Sequence, residues 1–215
     1  MNNFIKVFIS SVLIMPALAF SAETPSAAGK ALVQDGDIIF IHSGSSQASA
    51  IEEVMGSSWT HVGVVFKKDS SWFVAEAAAS VSLTPLEKFI EKSRDGGFEV
   101  KRLKDWRARP AAKDLARLKK RLSDDLGKKY DIYFEWSDKT LYCSEYVWKA
   151  YHSALRGHPD LSKPQKFSDL KLDGPLAKEL IAKRYKAAGK ELNMNEPIVT
   201  PLALFNSDLL YTVPQ

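Results

Sequence analysis

Apolar residues recur along this chain with two different periods, and the change from one to the other divides it. In the first half they come as short runs rich in β-branched and aromatic residues, bounded by glycine, aspartate and serine. One such run, Ile38-Ile39-Phe40-Ile41, is entered from the turn Asp35-Gly36-Asp37; others cover 59–66 and 72–78. Runs of this length and composition predict buried strands. The polar stretch 67–71, with Asp69-Ser70 at its centre, predicts a hairpin turn between the second and third. A further strand is predicted over 98–103. A short helix is predicted over 47–55, and Thr84-Pro85 marks the start of another reaching about Lys92, because threonine caps helices and proline suits their first turn.

The second half changes to helical spacing. Leu115, Leu118, Leu122 and Leu126 lie three or four positions apart with lysine, arginine and aspartate between them, which predicts an amphipathic helix over 111–126 ended by Gly127. Such a stripe is the ordinary signature of core packing. Helices are also predicted over 143–155, 175–187 and 201–205, with a proline-rich connection after the first. There is no internal repeat. Strands followed by helices indicate an α+β domain in which an antiparallel sheet packs against helices.

The N-terminal stretch belongs to neither pattern. Lys6 precedes an apolar run from Val7 to Leu18, and Ala17-Leu18-Ala19 offers a small-x-small cleavage site, so 1–19 read as an export signal. The run is shorter than the ~20 apolar residues that span a bilayer, and no later segment is apolar enough to remain in one after cleavage. Residues 20–34, rich in serine, alanine and proline, read as a flexible lead-in, which leaves 35–215 as a single domain long enough for a real core. The expected location is a periplasm or the cell exterior.

Composition then narrows the function. With 45% hydrophobic and 26% charged residues the chain is ordinary for a globular protein, and a formal charge of +4 is mild. Lysines and arginines are scattered and do not alternate with aromatic residues, so nothing resembles a nucleic-acid footprint.

Cys143 is the one cysteine in the sequence, in a chain expected to enter an oxidising compartment. A thiol there without a partner is an inert core residue, an intermolecular link or a reactive group. It opens the helix predicted over 143–155. Unpaired N–H groups and the positive end of the helix dipole favour a negatively charged sulfur at that position, the form that attacks. A sulfur nucleophile needs a base, and four histidines are present. His61 begins Thr60-His61-Val62-Gly63-Val64-Val65-Phe66 on a predicted strand; His42 ends the first strand and competes for the same role. His152 and His158 occupy a helix end and a position beside proline, typical of solvated residues. If 59–66 and 72–78 form a hairpin, residues 76–78 lie opposite His61, and Glu76 falls in that window. Glu76 either orients the imidazole or forms a structural ion pair with a lysine, since a carboxylate in so apolar a run needs a partner.

Taken in order, Asp35-Gly36-Asp37-Ile38-Ile39-Phe40, Thr60-His61-Val62-Gly63-Val64-Val65, Phe73-Val74-Ala75-Glu76-Ala77, Gly127-Lys128-Lys129-Tyr130-Asp131 and Tyr142-Cys143-Ser144-Glu145 resemble the circularly permuted branch of the NlpC-type papain-like hydrolases, the YiiX-like proteins. In the common branch the cysteine helix precedes the histidine strand, and here the order is reversed. The resemblance implies a circularly permuted papain-like α+β fold with Cys143 as nucleophile, His61 as base and then acid, and Glu76 as the third polar member. It implies no metal and no cofactor. Tyr130, by motif position, is either an oxyanion donor or a packed aromatic, and Tyr142 beside the sulfur is grouped with it as a substrate-binding residue. Glu145 reads as a carboxylate stabilising the helix N-terminus. The implied reaction is hydrolysis of an amide or ester through a thioester, with a murein peptide as the first substrate to consider. A lipid acyl group is the alternative, and a binding protein without activity is the rival class. A murein peptide would call for a polar open groove, a lipid acyl chain for an apolar slot beside Cys143.

Overall fold

The computed structural model describes residues 33–104 and 111–214. The expected signal, 1–19, and most of the lead-in lie outside them; Val33, near the end of that lead-in, is buried in the core.

Six strands form one antiparallel sheet: β1 (Asp37–Ser43), β2 (His61–Lys68), β3 (Ser71–Ala77), β4 (Val81–Pro85), β5 (Ser93–Leu103) and β8 (Leu210–Thr212), in the order β4-β3-β2-β1-β5-β8. Two short strands, β6 (Gln165–Lys166) and β7 (Pro197–Ile198), pair separately. The helices are α1 (Ala48–Met55), α2 (Leu86–Ile90), α3 (Ala111–Asp124), α4 (Cys143–Ala154), α5 (Pro175–Tyr185) and α6 (Pro201–Phe205).

Strand alternation gives the sheet two apolar faces, as a sheet covered on both sides requires. Ile38, Phe40, Val62, Val64, Ala75 and Ala77 meet α3 and α4 through Leu118, Leu122, Tyr146, Val147 and Tyr151. Ile39, Ile41, Val65 and Val74 face the other way, onto Leu86 and Phe89 of α2. Tyrosine hydroxyls fix α4 in this frame: Tyr146 donates to Leu122 O at 2.8 Å and Tyr151 donates to Gly36 O. Ser144 adds a bond to Val199 O at 2.8 Å. The N-terminus of α4 is thereby held against the sheet, which fixes where the sulfur sits.

Two elements differ from the sequence expectation. Thr84 and Pro85 end β4, an edge strand whose residues pair with β3 from Ala77↔Val81 to Phe73↔Pro85, and the expected helix begins one residue later than predicted, at Leu86 with Pro85 as its N-cap. Proline is tolerated at that strand terminus, and the β-branched threonine suits a pleated surface as well as it suits a helix cap. The helix that follows is only Leu86–Ile90. The fourth predicted strand begins earlier than 98, at Ser93, passing through Gly96 at φ 73° opposite a register shift between Ile41 and Ser43. β4, β6, β7 and β8 were absent from the sequence reading because runs of two to five residues carry too little periodicity to detect.

Candidate active site

The β2–β3 hairpin turns at Asp69, where φ is 55°, and its register runs from Lys68↔Ser71 to Val64↔Ala75. Continued by one residue, that register sets Gly63 opposite Glu76 and makes His61 and Glu76 diagonal neighbours on one face. The missing side chain of Gly63 leaves the space between them: a Cβ there would meet Ala75 O at 2.8 Å and run into Val74 Cγ1. His61 Nε2 lies 2.7 Å from a Glu76 carboxylate oxygen. With Nε2 taken by Glu76, Nδ1 is the ring nitrogen left for the Cys143 sulfur, which acts on the charge of the ring. Phe89 stacks on the ring at 5.5 Å between centroids.

The structure thus brings Cys143, His61 and Glu76 together from an α-helix and two strands. Cys143 is the first residue of α4 and 4% exposed. Burial works against a charged imidazole, but its bonds to the Cys143 sulfur and to Glu76 outweigh that cost and raise the pKa of His61 to about 9. Burial would likewise raise Glu76, yet the bond and charge of His61, with Lys92 and Thr84 behind them, lower it to about 2. At neutral pH the pair is imidazolium and carboxylate.

Glu76 has no solvent exposure and takes three donors. Its second oxygen accepts from the Thr84 hydroxyl and from Lys92 Nζ. The two roles left open for this carboxylate, imidazole partner and lysine ion pair, therefore coexist. Neither Thr84 nor Lys92 stood out in the sequence: they framed a predicted helix, and it is the β3–β4 pairing that turns Thr84, and the turn after α2 that brings Lys92, toward Glu76.

His42 is engaged elsewhere. Its Nδ1 lies 2.7 Å from Asp95 and its Nε2 3.1 Å from the Ser58 hydroxyl, and its ring lies 4.3 Å from that of Trp59. His152 bonds Asp160 at 2.6 Å and stacks on Trp148. Glu145 is buried; it accepts from Tyr142 N at 3.4 Å and pairs with Lys149 at 2.9 Å, anchoring the start of α4. Burial raises its pKa to about 7 against the pull of Lys149.

A cleft opens beside the sulfur, with about 750 Å³ of empty space counted out to its mouth in solvent. Ile51, Val54, Phe134, Leu172, Leu180 and Ile198 contribute to its walls, together with Tyr130, Tyr142 and Cys143 itself. Most of its polar wall groups already bond protein, Arg184 among them through Ile132 O and Gln47 Oε1. Tyr142 OH accepts Val199 N–H at 3.1 Å, Thr200 Oγ1 accepts Ala203 N–H at 3.1 Å, Ser144 donates to Val199 O, and Tyr185 donates to Tyr133 O. Tyr130 OH accepts from Gln47 Nε2 at 2.9 Å. Burial and the charge of the Cys143 sulfur push the Tyr130 pKa upward, so its hydroxyl keeps its proton. Gln47, at the N-cap of α1, carried no signal in the sequence. Among the described residues no group of three or more His, Cys, Asp or Glu side chains is placed to hold a metal ion.

Residues 32–214 match the family described as permuted papain-like amidase enzymes, YaeF/YiiX, C92. A relative, the uncharacterized protein YiiX of Escherichia coli strain K12, is 34% identical over 209 residues, which are 97% of this chain and 94% of that one. The crystal structure of YiiX from Escherichia coli O157:H7, described as a metalloprotein, aligns with a TM-score of 0.77 at 34% identity, covering 86% of this chain and 98% of the other. With a family match running from the start of the described residues to their end, and identity carried across nearly the whole of both sequences, the chain belongs to the YaeF/YiiX family of permuted papain-like amidases, the C92 cysteine peptidases.

Proposed function

We propose that the protein is a cysteine amidase whose scissile bond carries a long apolar acyl group. One observation carries the choice of substrate: the cavity that reaches Cys143 is walled mainly by apolar side chains, and Tyr142, Ser144, Thr200, Tyr185 and Arg184 in its wall already bond protein. A bound peptide would leave its own amides unpaired there, at about 1–3 kcal/mol for each buried group, whereas an acyl chain gains about 0.8 kcal/mol per buried CH₂. Of the two substrate classes open to an exported member of this fold, the geometry supports the lipid acyl amide over the murein peptide.

In this reading Cys143 Sγ attacks the carbonyl carbon, and the C=O electron pair moves onto oxygen. Two donors meet that oxyanion: the Tyr130 hydroxyl and the backbone N–H of Cys143, which as the first residue of α4 has no acceptor within the helix. The tetrahedral species collapses, the C–N bond breaks, and His61 gives its Nδ1 proton to the departing amine. The thioester left on Cys143 is then attacked by water, whose proton His61 takes; the C–S bond breaks with its electron pair going to sulfur, and the acid leaves with His61 again carrying its Nδ1 proton. Glu76 holds the imidazole through both steps. The Escherichia coli relative is described as a metalloprotein; among the described residues here no group of three or more His, Cys, Asp or Glu side chains is placed to hold a metal ion.

The test is a series of N-acylated amino acids of increasing chain length beside purified muropeptides, with products followed by mass spectrometry and Cys143→Ala as the control. We expect kcat/KM to rise with each added methylene, by about fourfold per step at full burial, and the Cys143→Ala protein to release nothing. Cleaved muropeptides with no dependence on acyl length would replace this substrate class with the peptide.

A further inference from the structure

Gln47 sits between Arg184 and Tyr130. Arg184 Nη2 donates to Gln47 Oε1 at 2.5 Å, and Gln47 Nε2 donates to Tyr130 OH at 2.9 Å. Arginine has no acceptor, so the end of the Gln47 side chain facing it must be the oxygen, which leaves the amide nitrogen facing Tyr130. That nitrogen can only donate. The Tyr130 oxygen is thereby committed as an acceptor, and its own proton is free to point elsewhere.

Arg184 is itself fixed. Its Nη1 donates to Ile132 O at 2.8 Å and its guanidinium lies over the Phe134 ring at 5.3 Å. The helix that carries it, α5, is tied to α1 at its other end, where Ala177 N donates to Glu53 at 2.8 Å. Gly174 permits that approach, since a Cβ there would collide with the Glu53 carboxylate. Both ends of the α1–α5 contact are held by hydrogen bonds that reach the cavity wall.

We propose that Gln47, oriented by Arg184, is a positioning residue that keeps the Tyr130 hydroxyl proton aimed at the carbonyl oxygen attacked by Cys143. This rests on reading Tyr130 as an oxyanion donor. Preorganisation of this kind matters because a donor that must first turn away from another acceptor contributes less to the transition state.

The informative variant is Gln47→Glu. Glutamate keeps the contact with Arg184 and strengthens it as an ion pair, but it presents a second acceptor to Tyr130, which then donates to Glu and turns its proton away from the site. Two reactions of the same sulfur separate positioning from folding: acylation by p-nitrophenyl octanoate passes through an oxyanion, and alkylation by iodoacetamide does not. We expect Tyr130→Phe and Gln47→Glu each to slow acylation about 100-fold, to leave alkylation within about twofold, and to be non-additive in the double variant. Gln47→Glu acylating at the wild-type rate while Tyr130→Phe is slow would overturn the role of Gln47 and leave that of Tyr130 standing. Wild-type acylation by Tyr130→Phe would overturn the reading beneath it. If Gln47→Glu fails to melt cooperatively, Gln47→Met, neutral and of similar length, serves instead: an acylation loss of about tenfold with unchanged alkylation supports the proposal, and no loss refutes it.

Discussion

Glu76 shows how one buried carboxylate serves two purposes. One of its oxygens holds His61 and the other is occupied by Thr84 and Lys92, so the charge is matched on both sides without solvent. Its acidity and the basicity of His61 are linked, because each stabilises the charged form of the other. The ordinary histidine value of 6.5 lies below the folded value of about 9, so the stabilisation from the charged ring is complete below about pH 6.5 and disappears as pH rises through about 9. The supply of the Nδ1 proton to a leaving amine follows the same limb. Glu76→Gln should therefore move the alkaline fall of kcat/KM to lower pH by about one unit, and pH profiles of both proteins check it; an unmoved limb would assign the basicity of His61 to the sulfur alone. Cys143, His61 and Glu76 were legible because each departs from its surroundings: a lone thiol at a helix start, a histidine and a carboxylate on apolar strands. Gln47 and Arg184 lie 137 residues apart in an unremarkable helix cap and an unremarkable helix end, and only the folded contact relates them.

Among the elements, the β2–β3 hairpin decides whether the site exists. Its register puts Glu76 and His61 on the same face, and a slip of one residue would send Glu76 to the side of α4. Gly63 is what lets the carboxylate and the imidazole approach across the strands. Gly63→Ala forces a methyl group against Ala75 O, a backbone atom that cannot rotate away, and against Val74. We expect a loss of about 1–3 kcal/mol in unfolding free energy, together with slower alkylation of Cys143 as His61 is displaced, measured by urea denaturation and iodoacetamide labelling. This hairpin was predictable, since its polar turn separates two runs of clear β composition. β4 was not: Thr84-Pro85 announces the helix that follows at Leu86, but that the same two residues first pair with β3 is a contact between strands rather than a property of the segment.

At the scale of the molecule, the order of elements made the family legible and the cavity did not. The reversal of the histidine strand and the cysteine helix is written directly in the sequence. The apolar slot instead collects residues from α1, the 130–134 loop, the start of α4, the 167–172 segment, α5 and the 192–201 segment. No local pattern announces a wall drawn from six places, which is why the sequence put the murein peptide first and held the lipid acyl group only as the alternative. The seclusion of the sulfur has a consequence for what becomes of the acylated intermediate. With 4% of Cys143 exposed and apolar side chains around it, the thioester of the proposed reaction would sit against hydrocarbon rather than in bulk water. An amine delivered on its own greasy tail reaches that ester at a high effective concentration. Decylamine at millimolar levels should divert turnover from free acid to decylamide, whereas ethylamine at the same level should not, and the ratio of the two products read by mass spectrometry measures how far the enzyme behaves as a transferase.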